Sequence, residues 1–323
     1  MSMKKLLEEA IELLGEEVDE KITNPAHKDL FTTYDGTSKV LDMKKSDLFH
    51  SIVAKLLYVM KRARPDIEPT IAFLMTRVSK SNERDWFKLK RLLGFIKHTI
   101  DDPRIIGATS LKDLYTWIDA SYAVHHDMRG HTGGTMSMGL GIIHAKSSKQ
   151  KLNVKSSTEC EIVGASEYVP YNIWQMMFFE EQGYPLHKNV LFQDNQSAIK
   201  MEKNGRNSCT GNSRHVNIRY FVVKDRVDKG EIEIEYCPTM LMLADYFTKP
   251  LNGNLFKRLR NIIMGYVPIS ALFDEMPTSS FKERVGKSNI SQNIANENVS
   301  EKYKNKTYAD VARGMSTLSQ TNK

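Results

Sequence analysis

Four acidic residues stand where an apolar run ends or a helical run begins: Asp119 after Trp117-Ile118, Glu161 within Thr158-Glu159-Cys160-Glu161, Asp194 beyond Val190-Leu191-Phe192, and Asp245 at the start of the last helical run. A lone Asp at a strand end is usually a turn or cap residue. The combination is harder to dismiss. If the strands ending at Asp119 and Asp194 are parallel neighbours, both carboxylates emerge at one sheet edge, where open α/β sheets bind ligands. Glu161 and Asp245 can reach the same place from the first turns of two helices. Clustered carboxylates repel and cannot all ionise unaided. Two divalent cations would remove that repulsion, and an oxygen-only donor set favours Mg²⁺ or Mn²⁺ over zinc. Such a pair, about 4 Å apart, suits in-line attack of water on a phosphodiester. One ion lowers the pKa of the water and the other stabilises the departing 3′ oxygen, with no His, Ser or Cys nucleophile required.

These acids need a scaffold, and the hydrophobic period supplies its outline. Apolar residues at helical spacing predict helices over 6–14, 46–61, 67–78 and 85–100, with breaks at Asn24-Pro25, Arg64-Pro65 and Asp102-Pro103. Together they predict a helical bundle whose last helix carries a basic face of Lys88, Lys90, Arg91 and Lys97. From Leu114 the period changes to strands at 115–119, 135–143 and 151–155, with a polar turn at His131-Thr132-Gly133-Gly134. Thr158 as N-cap and Glu161 reaching back to its amide fit a capping box that opens a helix to about Gln182. A strand over 189–192, a short helix from Asn195, a helix over 215–229 and a strand over 231–236 precede Asp245. Beyond about 267–270 the composition turns to Ser, Asn, Lys, Glu and Gln, which predicts a disordered tail to 323.

Composition sets looser bounds. The 46 Lys and Arg against 39 Asp and Glu leave a formal charge of +7, which is compatible with a nucleic-acid partner without requiring one. No apolar run approaches the roughly 18 residues of a membrane span, and the N-terminus lacks a signal-peptide core, so a soluble, non-secreted protein is expected. Cys160, Cys209 and Cys237 are too scattered for a zinc site or a disulfide framework. His125-His126-Asp127 with His131 offers no fourth ligand and is read as a solvated loop.

The segments Trp117-Ile118-Asp119-Ala120-Ser121, Lys155 through Glu161, Gln193-Asp194-Asn195-Gln196-Ser197-Ala198 and Ala244-Asp245-Tyr246-Phe247-Thr248-Lys249-Pro250-Leu251 resemble the ribonuclease H domain of Ty1/copia-type retrotransposon polyproteins. Lys61-Arg62-Ala63-Arg64-Pro65-Asp66-Ile67 and the stretch from Trp86 to Thr99 resemble the thumb that follows the reverse-transcriptase palm in that family. The resemblance implies a mixed five-stranded α/β sheet flanked by helices, cutting the RNA of an RNA–DNA hybrid. It divides the chain into a partly helical segment (1–45), a thumb-like bundle (46–110), a ribonuclease H-like domain (111–266) and a tail (267–323). It makes Asp119, Glu161, Asp194 and Asp245 the metal ligands for two Mg²⁺ or Mn²⁺ ions. Glu161 is preferred to Glu159 because Ile162-Val163-Gly164-Ala165 follows it. Partners implied are the hybrid and the rest of the polyprotein, palm and integrase included, in a cytoplasmic virus-like particle or the nucleus.

Ser121, Thr132, Gly133, Gly134, Asn195 and Gln196 are candidate readers of 2′-hydroxyls in the hybrid minor groove, with turn chemistry as the plain alternative for the glycines. Lys90 and Arg91 are candidate phosphate contacts, with a solvated face as the alternative. Trp86, Trp117 and Trp174 are expected in the core. No Tyr-x-Asp-Asp turn occurs, so primer extension by this chain alone is not expected. The rival readings are a non-catalytic hybrid-binding remnant and a DNA-specific nuclease of integrase or resolvase type on the same fold.

Overall fold

The computed structural model describes residues 2–205 and 214–276, with the backbone alone over 214–220. Cys209 and the tail beyond 276 lie outside the described residues.

Four helices come first: α1 (Lys4–Leu14), α2 (Met43–Arg62), α3 (Glu68–Met75) and α4 (Glu83–His98). The Asp42 carboxylate caps α2 by accepting from the Lys45 amide, and Asn82 with Asp85 forms a full capping box on α4. Phe49, Ile52, Val53 and Leu56 form the buried face of α2, as its spacing requires. Arg64 leaves the helix ahead of Pro65, whose ring disfavours helical geometry in its predecessor.

The main sheet follows, with five strands, β1 (Asp113–Ser121), β2 (His131–Ser137), β3 (His144–Lys149), β4 (Lys188–Gln193) and β5 (Glu233–Tyr236), in the spatial order β3-β2-β1-β4-β5; a short two-stranded pair joins 107–108 to 139–140 beside it. β1, β2 and β3 pair antiparallel, while β4 runs parallel to both β1 and β5. The chain crosses from β3 to β4 through the long helix α5 (Ser157–Glu181), and from β4 to β5 through α6 (Gln196–Asn204) and α7 (Arg214–Asp228). The short α8 (Asp245–Thr248), then α9 (Gly253–Ile263) and α10 (Ser270–Phe273), complete the described chain. This is the mixed five-stranded sheet with flanking helices that the resemblance implies.

Several boundaries differ. The second strand begins at His131, so Thr132, Gly133 and Gly134 lie inside it rather than in a turn. The third strand ends at Lys149, ahead of the expected 151–155. The tail starts later than 267: Ile269, Leu272, Phe273 and Met276 are buried, and Phe273 rings against Tyr115, Trp117 and Phe192 on one face of the sheet. Trp86 and Trp117 are buried, whereas Trp174 is 64% exposed and stacks on Phe178 on the outer face of α5.

The two sheet faces carry different partners. On one, Leu114, Ile118 and Leu191 pack beneath α5, which is pinned by Asn172: its amide donates to Thr116 and Asn189. On the other, Tyr115, Trp117 and Phe192 join a single apolar cluster that also holds the residues of α1–α4, α9 and α10. A buried charge hub fastens this side. The Asp66 carboxylate accepts from Arg64 at 2.8 and 2.9 Å and from Arg260 of α9 at 2.9 Å, while Tyr246 donates to the Asp66 carbonyl at 2.9 Å. Glu68 adds a second tie, accepting from Lys61 and from the Ser147 amide of β3.

Burial alone would favour the neutral acid, yet Arg64 and Arg260 hold Asp66 down at about 2. Its contribution is therefore complete above about pH 4 and lost as pH falls through about 2. Asp66→Asn, which removes the buried counter-charge of Arg64 and one of the two carboxylates that hold Arg260, is expected to cost about 3–5 kcal/mol. Urea unfolding at pH 7 checks this, and a loss below about 1 kcal/mol would mean that the hub contributes little.

Candidate active site

Parallel pairing places Trp117 beside Phe192. Because strand side chains alternate with a period of two, Asp119 lies on Trp117's face and Asp194 continues on Phe192's. Both acids thus leave the sheet at one edge, as expected. Asp245 arrives on α8, whose Ala244, Tyr246 and Phe247 are all buried. Gly133, opposite Asp119 in the ladder, makes room for that turn. A Cβ there would stand 2.6 Å from Thr248 Cγ2 and 2.9 Å from the Ala244 carbonyl. Oxygens of Asp119, Asp194 and Asp245 all lie within 4.8 Å of one another.

Glu161 comes from α5 on the other side. The helix approaches closely because Gly164 leaves only 3.2 Å between its would-be Cβ and that of Ala120, and because Gly134 abuts the Tyr168 ring. Glu161 is 5% exposed, and one carboxylate oxygen has no hydrogen-bond partner. It lies outside the tight three-acid group. Its helical cap is not the expected one. Ser156 is the N-cap, accepting from the Glu159 amide, while Glu159 accepts from the Lys155 amide at 2.8 Å. The capping role therefore falls two residues earlier and belongs to half-buried Glu159, which leaves Glu161 free of it.

The electrostatics reflect crowding. Burial, then the charges of Asp119 and Asp194, pushes Glu161 well above the usual carboxylate range. Burial and Asp119 raise Asp194, and the same two causes push Asp245 up to about 7. Local donors steady the acids. Thr248 donates its hydroxyl to Asp119, Thr239 donates to Asp194 at 2.9 Å, and Lys249 Nζ lies 2.7 Å from Asp245 and 3.5 Å from Asp119.

The chain aligns with retrovirus-related Pol polyproteins. It is 27% identical over 216 residues to that of transposon TNT 1-94 of Nicotiana tabacum, covering 67% of this chain and 16% of the polyprotein. It is 27% identical over 245 residues to that of transposon RE1 of Arabidopsis thaliana, covering 75% and 16%. It is 31% identical over 144 residues to the Ty1-JR1 Gag-Pol polyprotein of Saccharomyces cerevisiae, covering 44% and 8%. The chain is homologous to the Pol polyproteins of Ty1/copia-type transposons. It spans about one-sixth or less of the length of these Pol relatives. No protein-family model matches. Among solved structures, a ribonuclease H1 isolated from compost aligns with 8% identity and a TM-score of 0.32, covering 42% of this chain and 92% of that one. A foamy viral protease-reverse transcriptase in complex with RNA/DNA hybrid aligns with 13% identity and a TM-score of 0.39, covering 69% and 27%. The fold assignment rests on the strand order above rather than on these superpositions.

The expected hybrid-reading residues fare unevenly in this Pol homologue. Thr132 is fully buried, accepting from Gln150 at 3.0 Å, and Gly133 and Gly134 are packing positions. Ser121 is buried and donates to the Thr248 carbonyl. Asn195 caps α6 by accepting from the Ser197 and Ala198 amides, with Gln196 exposed next to it. The basic face of α4 is largely covered by the N-terminal segment. Lys90 pairs with Glu16 at 2.7 Å, Lys97 pairs with Glu20, and buried Lys88 donates to the Leu30 and Thr32 carbonyls. Arg91 instead lines a cavity of about 210 Å³ with Arg84, Phe87 and His27.

His126 and Asp127 are exposed in a loop, as expected, but His125 and His131 are buried. Ser147 donates to the Phe247 carbonyl, so it accepts from His131 Nε2 at 2.7 Å, and His131 Nδ1 accepts from His125 Nε2 at 3.0 Å. Burial keeps His125 at about 4 and His131 at about 3, so both are neutral at pH 7.

Glu202 escaped the sequence reading. It is fully buried on α6, with Gln193 donating to one oxygen and no partner for the other. Its signal was periodic, since it shares the apolar face of Ala198 and Ile199. Burial pushes it up to about 8. A carboxyl raised on folding stabilises most below its unfolded value near 4, and this contribution is lost as pH rises through about 8. Wild-type melting temperature in EDTA is therefore expected to fall relative to Glu202→Gln between about pH 5 and 9. A constant difference across that range would show that Glu202 does not carry the buried proton.

Proposed function

We propose that this chain hydrolyses the RNA strand of an RNA–DNA hybrid, with Asp119, Glu161, Asp194 and Asp245 as ligands for two Mg²⁺ or Mn²⁺ ions. The observation that supports this most is the convergence of carboxylates from β1, β4 and α8 within 4.8 Å, beside a buried Glu161 with an unpartnered oxygen. The donor set fits hard divalent cations: it is all oxygen, and burial, then the neighbouring acids, raises the proton affinity of Glu161, Asp194 and Asp245, a cost that a bound cation would relieve. When bound, the ions would supply the charge that activates water and stabilises the leaving oxygen. The chain's own groups position the ligands. Thr248 orients Asp119, and Thr239 orients Asp194. Gln196, exposed beside Asp194, and Asn195 are placed to meet the substrate backbone.

The choice of hybrid over duplex DNA is supported by the kinship with Pol polyproteins. Residues 46–110 act in this reading as a thumb, with Arg84 and Phe87 exposed on α4, half-buried Arg91 beside them and Lys90 paired with Glu16. The division of the chain at 46, 111 and the tail belongs to the same proposal.

Hybrid, duplex DNA and duplex RNA offered to the purified chain should give cleavage of hybrid RNA alone, in Mg²⁺ or Mn²⁺ and not in EDTA. Binding without cleavage would favour the non-catalytic reading, and cleavage of duplex DNA the integrase-like one. Glu161→Gln is expected to lower single-turnover cleavage by more than about a hundred-fold while the protein stays folded. Glu159→Gln should cost only about 0.3–1 kcal/mol of stability through its cap and leave cleavage nearly intact. The reverse pattern would move the ligand two residues upstream.

A further inference from the structure

Lys249 is the feature of the acidic cluster that the reading above leaves unused. It follows α8 directly, and the Pro250 ring keeps it out of helical geometry, with φ −133° and ψ 140°. Its amide nevertheless bonds back to the Asp245 carbonyl at 3.0 Å, so the residue is tied to the same turn as the acid. From there the side chain folds over the cluster. Nζ is 2.7 Å from Asp245 and 3.5 Å from Asp119, and the side chain is 39% exposed, so it has an open route to solvent. Among the described residues these are the cation contacts of the three-acid group. Asp194 is held by the Thr239 hydroxyl.

We propose that Lys249 is a tethered counter-cation of the acidic site, competing with divalent metal for Asp245 and Asp119. This rests on the metal-binding reading given above. Without metal, the ammonium partly neutralises carboxylates that would otherwise repel, and so keeps α8 seated against β1 and β2. A divalent ion held by the same two carboxylates would repel an ammonium a few Å away and compete for the oxygens it contacts, so Lys249 swings out through its exposed side when metal enters. The residue then acts on affinity: it protects the metal-free fold and weakens metal binding. Lys249 is thus a positioning residue, separate from the ligands.

The test uses the full chain, stripped of metal, with Mn²⁺ titrated calorimetrically and melting followed in parallel. Lys249→Met should bind Mn²⁺ about ten-fold more tightly than wild type, since a positive charge a few Å from the ion is removed. Lys249→Arg should stay close to wild type. Metal-free Lys249→Met should melt below wild type, and saturating Mn²⁺ should close that gap. Equal or weaker Mn²⁺ binding by Lys249→Met would overturn the proposal, as would a melting deficit that persists in saturating Mn²⁺, the mark of a merely structural lysine. If Lys249→Met does not fold without metal, refolding is compared in Mn²⁺ and in NaCl of equal ionic strength. Recovery in Mn²⁺ alone supports the competition, and recovery in neither or equally in both overturns it. Absence of any Mn²⁺ binding by wild type would bring down the metal reading itself. Wild-type binding that Lys249→Met leaves unchanged would remove only the role of Lys249.

Discussion

Three carboxylates whose oxygens lie within 4.8 Å set the terms for the structure around them. Their mutual repulsion opposes folding, and each acid is held in place by something outside itself. Asp119 is fixed by the ladder and by Thr248, Asp194 by Thr239, and Asp245 by the buried flanks of α8 and by Lys249. Gly133 sits where β2 must admit α8, and Gly164 where α5 must come close enough to bring Glu161 alongside. The glycines are spent on proximity rather than on turns, because a Cβ at either place would push an acid away from its neighbours.

The helical region matters to this arrangement through Asp66. Its bonds to Arg64, Arg260 and, through its carbonyl, Tyr246 join the turn after α2, α9 and the residue next to Asp245 in a single buried network. Buried ion pairs add little net stability over a well-packed apolar alternative, but they resist rearrangement, because breaking one strands a charge. The hub therefore fixes where α8 lies relative to the helices, while the apolar cluster across the same face supplies the bulk of the burial.

What was legible in the sequence follows from what local pattern encodes. The end of β4 could be read to within a residue because its apolar run stops at Phe192, whereas β1 continues past Asp119 to Ser121, paired with β2; the parallel pairing of β1 with β4 follows from the long crossover through α5. The start of β2 could not, since His131-Thr132-Gly133-Gly134 has turn composition, and its extended form is imposed by helices packing on both sides. The cap of α5 was misread by two residues because Ser156, Ser157 and Thr158 are equally able caps, and only the burial of Glu161 distinguishes them. The basic face of α4 was taken at face value because its partners Glu16 and Glu20 lie more than 70 residues away. The tail boundary slipped because Ile269, Leu272, Phe273 and Met276, although at helical spacing, make a single short run directly ahead of a long polar stretch.

The Asp66 hub also bears on how the chain would respond to a cut backbone. Leu111 and Lys112 lie exposed between the helices and β1. A nick there would sever the only covalent link between the two halves of the described fold, yet the hub, the Glu68–Ser147 bond and the donation from Arg104 to the Ile142 carbonyl all cross it or its flanks. On parting, Arg260 would lose both Asp66 and Asp102, its carboxylate partners on the other piece, while Asp66 would keep only Arg64. The two pieces would therefore remain a non-covalent pair, and the acids at the end of β1 would keep their alignment in a molecule made of two chains.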